Sequence, residues 1–212
     1  MEKQTLHLTE EDLDQAVALL QGGGLVALPT ETVYGLAADG LNTQAVEDIY
    51  RAKGRWEGKP LSVFVTGMEM VEKLCREIPV AAYRLAEAFW PGPLTIVLPD
   101  AGVVSKVVTA GGDTLGVRCP DHPITLEVVR RLGRPLAAPS ANPSGLPSPK
   151  DARAVLDGLQ GKIDAVVDGG VCVVAVESTI LDLTGDAPRI LRQGGLAEAE
   201  IWAVLEKGRV SP

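Results

Sequence analysis

Leu25-Val-Ala-Leu-Pro-Thr-Glu-Thr32 is the stretch from which the fold can be read. Four apolar residues of strand length stop at a proline and give way to hydroxyls and a carboxylate. Upstream, Thr9 is placed to cap a helix with an acidic first turn (Glu10, Glu11, Asp12) and an apolar face of Leu13, Val17 and Leu20, stopped by Gly22, Gly23 and Gly24. Downstream, Asn42 or Thr43 opens a second helix with Ala45, Val46, Ile49 and Tyr50 inward, and Gly54 ends it. Helix, buried strand, polar loop and helix in that order point to an α/β domain.

The alternation continues along the chain. Further strands are predicted near 61–65, 94–98, 114–118, 136–138, 165–168, 178–183 and 189–191, and helices near 68–76, 80–89, 124–132, 151–159 and 197–206. No composition shift marks a linker, so residues 1–212 read as one domain. Several strands empty into polar, proline-marked loops: Gly-Val into Arg118-Cys-Pro120, and Leu-Ala-Ala into Pro139-Ser-Ala-Asn-Pro-Ser-Gly145. Ligands of open α/β sheets collect at such strand ends.

Twenty Lys and Arg against 28 Asp and Glu give a net charge of −8. An acidic average repels phosphate backbones and excludes a broad basic face for nucleic acid as the main activity. Local cationic clusters survive that average, because exposed charges are screened beyond about 8 Å. With 46% hydrophobic and 23% charged residues the chain has the makings of a packed core rather than of disorder. The longest strictly apolar run, Val171 to Val176, is far short of the roughly 20 residues of a membrane helix. The start MEKQTLHLTEEDLDQ lacks the order of a secretory signal, so a cytoplasmic location is expected. Cys75, Cys119 and Cys172 form no CxxC pair and read as buried thiols.

Familiar nucleotide and hydrolase motifs are absent. Gly58-Lys59 precedes Pro60 and Gly161-Lys162 precedes Ile163, so there is no Walker A loop. Gly22 to Ala27 matches GxGxxA by letters but follows a helix and leads into a strand, the reverse of the dinucleotide-binding order. His7 and His122 stand apart from the cysteines and from each other, leaving no visible metal-ligand spacing. No GxSxG elbow surrounds a serine, which argues against a triad of Ser140 with Asp121-His122.

What stands out is charge. Arg51 to Pro60 holds four of the 20 cations (Arg51, Lys53, Arg55 and Lys59), and Arg118 and Arg192 lie at or near strand ends. This segment reads either as a solvated helix exit or as part of a polyphosphate site. At 4 Å and an effective dielectric near 20, one cation–phosphate pair is worth roughly 4 kcal/mol before desolvation.

Seven ordered motifs together resemble the YrdC-type threonylcarbamoyl-adenylate synthase family. They are Pro29-Thr-Glu-Thr-Val-Tyr-Gly-Leu36, Lys53-x-Arg55 with Lys59-Pro-Leu, Trp90-Pro-Gly-Pro-Leu-Thr95, Val117-Arg-Cys-Pro120, Ala138-Pro-Ser-Ala-Asn-Pro-Ser-Gly145, Glu177-Ser-Thr-Ile180 and Ile190-Leu-Arg-Gln-Gly194. The resemblance implies a YrdC/RibB-like twisted, open mixed sheet with flanking helices and a concave active-site face. It implies a cytoplasmic nucleotidyltransferase that makes threonylcarbamoyl-AMP and pyrophosphate from L-threonine, bicarbonate and ATP, for tRNA threonylcarbamoyladenosine modification. The form implied is the short, single-domain one.

The resemblance also implies roles for individual residues. Lys53, Arg55, Ser140 and Asn142 would be catalytic, and Arg55, Lys59, Thr114, Ser140, Ser148 and Arg192 would bind ATP. Threonine would lie among Thr32, Phe64, Arg118, Ala138 and Ser178, with Phe64 standing where some relatives carry a histidine. Mg²⁺ is expected to arrive with ATP, with no metal ligands from protein side chains. The expected partner downstream is a tRNA threonylcarbamoyl transferase complex, and the residues leave open a direct contact with tRNA or other RNA. A competing reading is a double-stranded RNA or ribosome-assembly binding module without catalysis, for which −8 is the wrong sign. Another is a carbamoyl-transfer domain of hydrogenase-maturation type, which would want additional modules.

Overall fold

Thr9 caps the start of the chain's first helical segment, and the fold begins around it. The computed structural model describes residues 4–55 and 58–207. Trp56 and Glu57 of the cationic segment, and the first three residues of the N-terminal stretch, lie outside the described residues. Thr9 and Asp12 close a reciprocal capping box on a 3₁₀ turn, Glu10–Asp12, which runs into helix α1 (Leu13–Gln21) with Gly22 as its cap. Asn42 caps α2 (Thr43–Lys53), and Gly54 ends it in the left-handed region at φ 58°. The other helices are α3 (Met68–Leu74), α4 (Val80–Phe89), α5 (Pro123–Leu132), α6 (Ala152–Leu159) and α7 (Glu198–Lys207).

Among the described residues ten strands make one mixed sheet: β1 (Leu6–Leu8), β2 (Val26–Leu28), β3 (Gly35–Asp39), β4 (Ser62–Phe64), β5 (Leu94–Pro99), β6 (Thr114–Arg118), β7 (Leu136–Ala137), β8 (Ala165–Val167), β9 (Thr179–Asp182) and β10 (Arg189–Arg192). Their order is β1-β8-β2-β3-β7-β4-β6-β5-β9-β10. The pairs β1–β8, β2–β8, β4–β6 and β5–β9 are parallel and the rest antiparallel. Two strands were not predicted. β1 has only three residues and exists through its pairing with β8. β3 is Gly-Leu-Ala-Ala-Asp, weak strand formers held between β2 and β7.

Side-chain alternation sends successive residues of these strands into two cores. Val26, Leu28 and Ala37 pack with α1 and α5 through Leu20, Val128 and Val129, whereas Ala27, Leu36 and Ala38 pack with α2 through Val46, Ile49 and Tyr50. A sheet covered on both faces explains why Leu25 to Leu28 reads as a continuous apolar run. Each fully buried Leu or Val contributes roughly 1.5–3 kcal/mol.

All three cysteines are free and buried, as expected. Burial pushes the thiol pKa of Cys75 up to about 12 and of Cys119 up to about 11, so neither is a reactive thiolate near neutrality. Among the described residues no helix is long and apolar enough to cross a membrane.

Candidate active site

Small residues open a hollow on the sheet. A Cβ at Gly35 would lie 3.0 Å from the Phe64 ring, and one at Gly116 3.0 Å from the Ser62 hydroxyl. Gly35, with Ala138 and Ser62, leaves a cavity of about 170 Å³ at the strand ends. Its floor is a row of side chains running across neighbouring strands. Phe64 pairs in register with Arg118, and Thr95 with Ile180, and all four line the cavity. The site therefore extends over the sheet face as well as the strand-end loops.

Three guanidiniums converge here, those of Arg55, Arg118 and Arg192. Arg118 is almost fully buried; its Nη2 donates to Glu31 Oε1 at 2.7 Å and its Nε to the Gly92 carbonyl at 3.2 Å. Phe64 lies beneath it, with ring centroid and guanidinium carbon 5.7 Å apart. Glu31 is also tied down by the Asp121 backbone N–H at 3.0 Å, so the buried pair is rigid at both ends. Burial lowers the Arg118 pKa and Glu31 opposes it, which leaves the group charged throughout the accessible pH range.

Arg192 donates Nη1 to Glu177 Oε2 at 2.8 Å and clasps the Ser178 carbonyl with Nε and Nη2 at 3.1 and 2.9 Å. Ser178 shares a 2.8 Å hydrogen bond with Thr95. Arg55, just past the left-handed Gly54, spends one N–H on the Pro60 carbonyl at 3.2 Å, and its buried Nε has no partner among the described residues. Arg55 is half-buried, and that burial lowers its pKa.

Of the residues singled out from sequence, Arg55, Phe64, Arg118, Ala138, Ser140, Ser178 and Arg192 line this one cavity. The others lie elsewhere. Thr32 is fully buried with its hydroxyl 2.9 Å from that of Thr30, and Lys59 is exposed. Thr114 pairs with Pro99 at the end of β6 away from Arg118. Ser148 is half-buried and donates to Glu177 Oε1 at 3.0 Å. Asn142 donates its amide to the Pro143 and Leu146 carbonyls at 3.0 and 2.7 Å, while its Oδ1 is buried without a partner among the described residues. Lys53 sits behind the wall, its ammonium on the carbonyls of Ser140 and Asn142.

Sequence reasoning overlooked Glu177, a carboxylate lining the cavity among the cations. Its place beside Ser178 in one motif was the available signal, but pairing with Arg192 across 15 positions was not legible. It overlooked Glu31 as the partner of Arg118 for the same reason, and Tyr34, which lines one edge.

The Sua5/YciO/YrdC family, described as telomere recombination, matches residues 18–194. The chain belongs to the Sua5/YciO/YrdC family. It is 48% identical over 197 residues to a threonylcarbamoyl-AMP synthase of Pyrococcus abyssi, covering 93% of this chain and 58% of that one. It is 46% identical over 201 residues to a threonylcarbamoyl-AMP synthase of Bacillus subtilis, covering 94% and 58%. It thus spans 58% of the length of either relative. A crystal structure of P. abyssi Sua5 complexed with L-threonine superposes with a TM-score of 0.92 at 46% identity, covering 95% of this chain and 60% of that one.

The last Sua5/YciO/YrdC motif ends at Gly194, whose position is set by the cavity wall. A Cβ there would stand well inside contact distance of the Glu177 carbonyl and the Ser178 backbone, which no rotamer change relieves. Gly194→Ala is expected to cost about 1–3 kcal/mol and to displace Glu177 and Ser178. Thermal unfolding should show a Tm lower by about 2–4 °C for each kcal/mol.

Proposed function

We propose that this chain is the synthase module of an L-threonylcarbamoyladenylate synthase, acting on L-threonine, bicarbonate and ATP. The observation that carries the reading is the convergence of Arg55, Arg118 and Arg192 with the hydroxyls of Thr95, Ser140 and Ser178 in one cavity. Its support from relatives is the threonine-bound Sua5 fold and the naming of the two synthases.

In the reaction, the amine of threonine adds to CO₂ drawn from bicarbonate; a C–N bond forms and the amine proton leaves to solvent. A carbamate oxygen then attacks the α-phosphorus of ATP, and the bond to pyrophosphate breaks with its electrons. Such a displacement needs positioning and charge neutralisation rather than a protein nucleophile. Arg118, held flat between Glu31 and Phe64, is suited to the amino-acid carboxylate as a planar fork. Arg55 has an unpartnered N–H to give to a phosphate oxygen, and Arg192 can exchange Glu177 for one. Phe64 gives the amino-acid end an apolar wall.

Mg²⁺ enters as part of the MgATP substrate. Among the described residues no three His, Cys, Asp or Glu are grouped to hold a metal. The mixed anhydride product is labile, so a tRNA-modifying transferase is the expected consumer.

The test is pyrophosphate release from ATP, measured with each co-substrate omitted in turn. Release that requires both threonine and bicarbonate is the expected result. Release absent, or indifferent to both, overturns the reading.

A further inference from the structure

Lys53 is the last residue of α2, and its side chain turns away from the cavity into the protein. It is 3% exposed and does not line the hollow that Arg55 and Ser140 share. Its ammonium donates to two backbone carbonyls, those of Ser140 and Asn142, the latter at 2.5 Å. Its own carbonyl accepts from the Ser144 N–H at 2.7 Å. Three hydrogen bonds thus join the exit of α2 to the loop after β7.

The opposite edge of that loop is anchored independently. Ala141 N–H donates to the Tyr34 carbonyl at 2.8 Å, and Leu36 N–H to the Pro139 carbonyl at 2.7 Å. The loop is therefore clamped between β3 and Lys53. On one side the clamp is ordinary backbone pairing; on the other it is a single charged side chain. Carbonyls at 140 and 142 that face the protein interior need donors, and an ammonium can serve both at once. With two of its three protons so engaged, Lys53 is poorly placed to grip a ligand as well.

We propose that Lys53 is a positioning residue: it fixes the Ser140–Asn142 loop against the α2 exit, aligning Ser140 with Arg55, and does not touch the nucleotide. What the loop grips depends on the synthase reading above; the clamp itself does not. Two charged groups bear on the ammonium, Arg55, which disfavours its charge, and Glu177, which favours it. Burial, with Arg55 adding to it, outweighs Glu177 and brings its pKa down to about 8. A cation kept out of water at that cost is consistent with a structural duty at the loop.

Amide hydrogen exchange of the full chain tests the clamp, with residues 140–146 as the reporter and α5 as the internal reference. Lys53→Met should raise exchange in the loop by about tenfold or more while leaving α5 unchanged. In pyrophosphate release, Ser140→Ala should be costly in the native background and nearly silent in Lys53→Met, because a loop already out of register has little left to lose. Lys53→Arg should fail to restore either readout, since a planar fork does not fit the space of an ammonium. Unchanged loop exchange in Lys53→Met, or ATP affinity restored by Lys53→Arg with an additive Ser140→Ala effect, would make Lys53 a phosphate ligand and overturn the proposal. If Lys53→Met does not fold, Lys53→Gln carries the same measurements. Absence of pyrophosphate release from the native chain would sink the synthase reading alone, and the exchange result would still decide the clamp.

Discussion

Arg118→Ala is expected to abolish threonine-dependent pyrophosphate release and, unlike most substitutions in a ligand site, to destabilise the fold. Arg118 and Glu31 are buried together 2.7 Å apart, with side-chain exposures of 6% and 7%. Removing the cation strands a carboxylate in the interior, a change that costs about 3–5 kcal/mol. Activity falls for a second reason: two charge-assisted hydrogen bonds to a substrate carboxylate are worth roughly 1.5–3 kcal/mol each, or on the order of 10²–10⁴-fold in kcat/KM. Glu31→Gln added to Arg118→Ala separates the two effects. Denaturant unfolding should show stability largely recovered, while threonine binding by calorimetry stays absent. Recovery of threonine binding in the double variant would remove Arg118 from the amino-acid site.

Arg55→Ala should have the opposite profile. Among the described residues its guanidinium makes one side-chain hydrogen bond, to the Pro60 carbonyl, and its Nε is buried without a partner. Little folding energy depends on it, and removing a cation whose pKa burial has lowered offsets the bond that is lost. Stability is expected within about 1 kcal/mol of the native chain. The ATP-dependent rate should nevertheless fall on the order of 10²–10³-fold, the loss of a forked contact to phosphate. A loss confined to KM would place that contact in the bound substrate, and a loss in kcat would place it where charge develops at the α-phosphate. Near-native kcat/KM in Arg55→Ala would exclude it from the site.

These two arginines differ in a way that the amino-acid string does not display. Each sits in a polar, proline-marked stretch, and each was assigned to the same crevice. Arg118 is paired with Glu31 across 87 positions of chain, which only the packing of β6 against the loop after β2 brings about. Lys53 and Arg55 are two residues apart on either side of the left-handed Gly54, yet Arg55 lines the cavity and Lys53 does not.

Local rules read from sequence carried far where the cause is local. The Thr9 cap, the glycine stop after α1, the Asn42 cap and the left-handed Gly54 are properties of a few consecutive residues. The apolar runs of β2, β4, β5 and β6 follow from burial on both faces, but of the residues lining the cavity only Val33 and Tyr34 lie in the loops that follow these strands. β1 and β3 were illegible because three residues, or a strand rich in alanine, form only when a neighbour supplies the hydrogen bonds.

The sequence by itself determined the α/β class, the family and the set of chemical groups available, because each is written in short motifs whose order survives without coordinates. Only the tertiary structure decided which of those groups share a cavity. It placed Arg55, Arg118 and Arg192 together, brought Glu177 among them and set Lys53 behind the wall. A net charge of −8 is a sum over the chain, and the potential at a site depends on distance and burial, which the chain acquires only on folding.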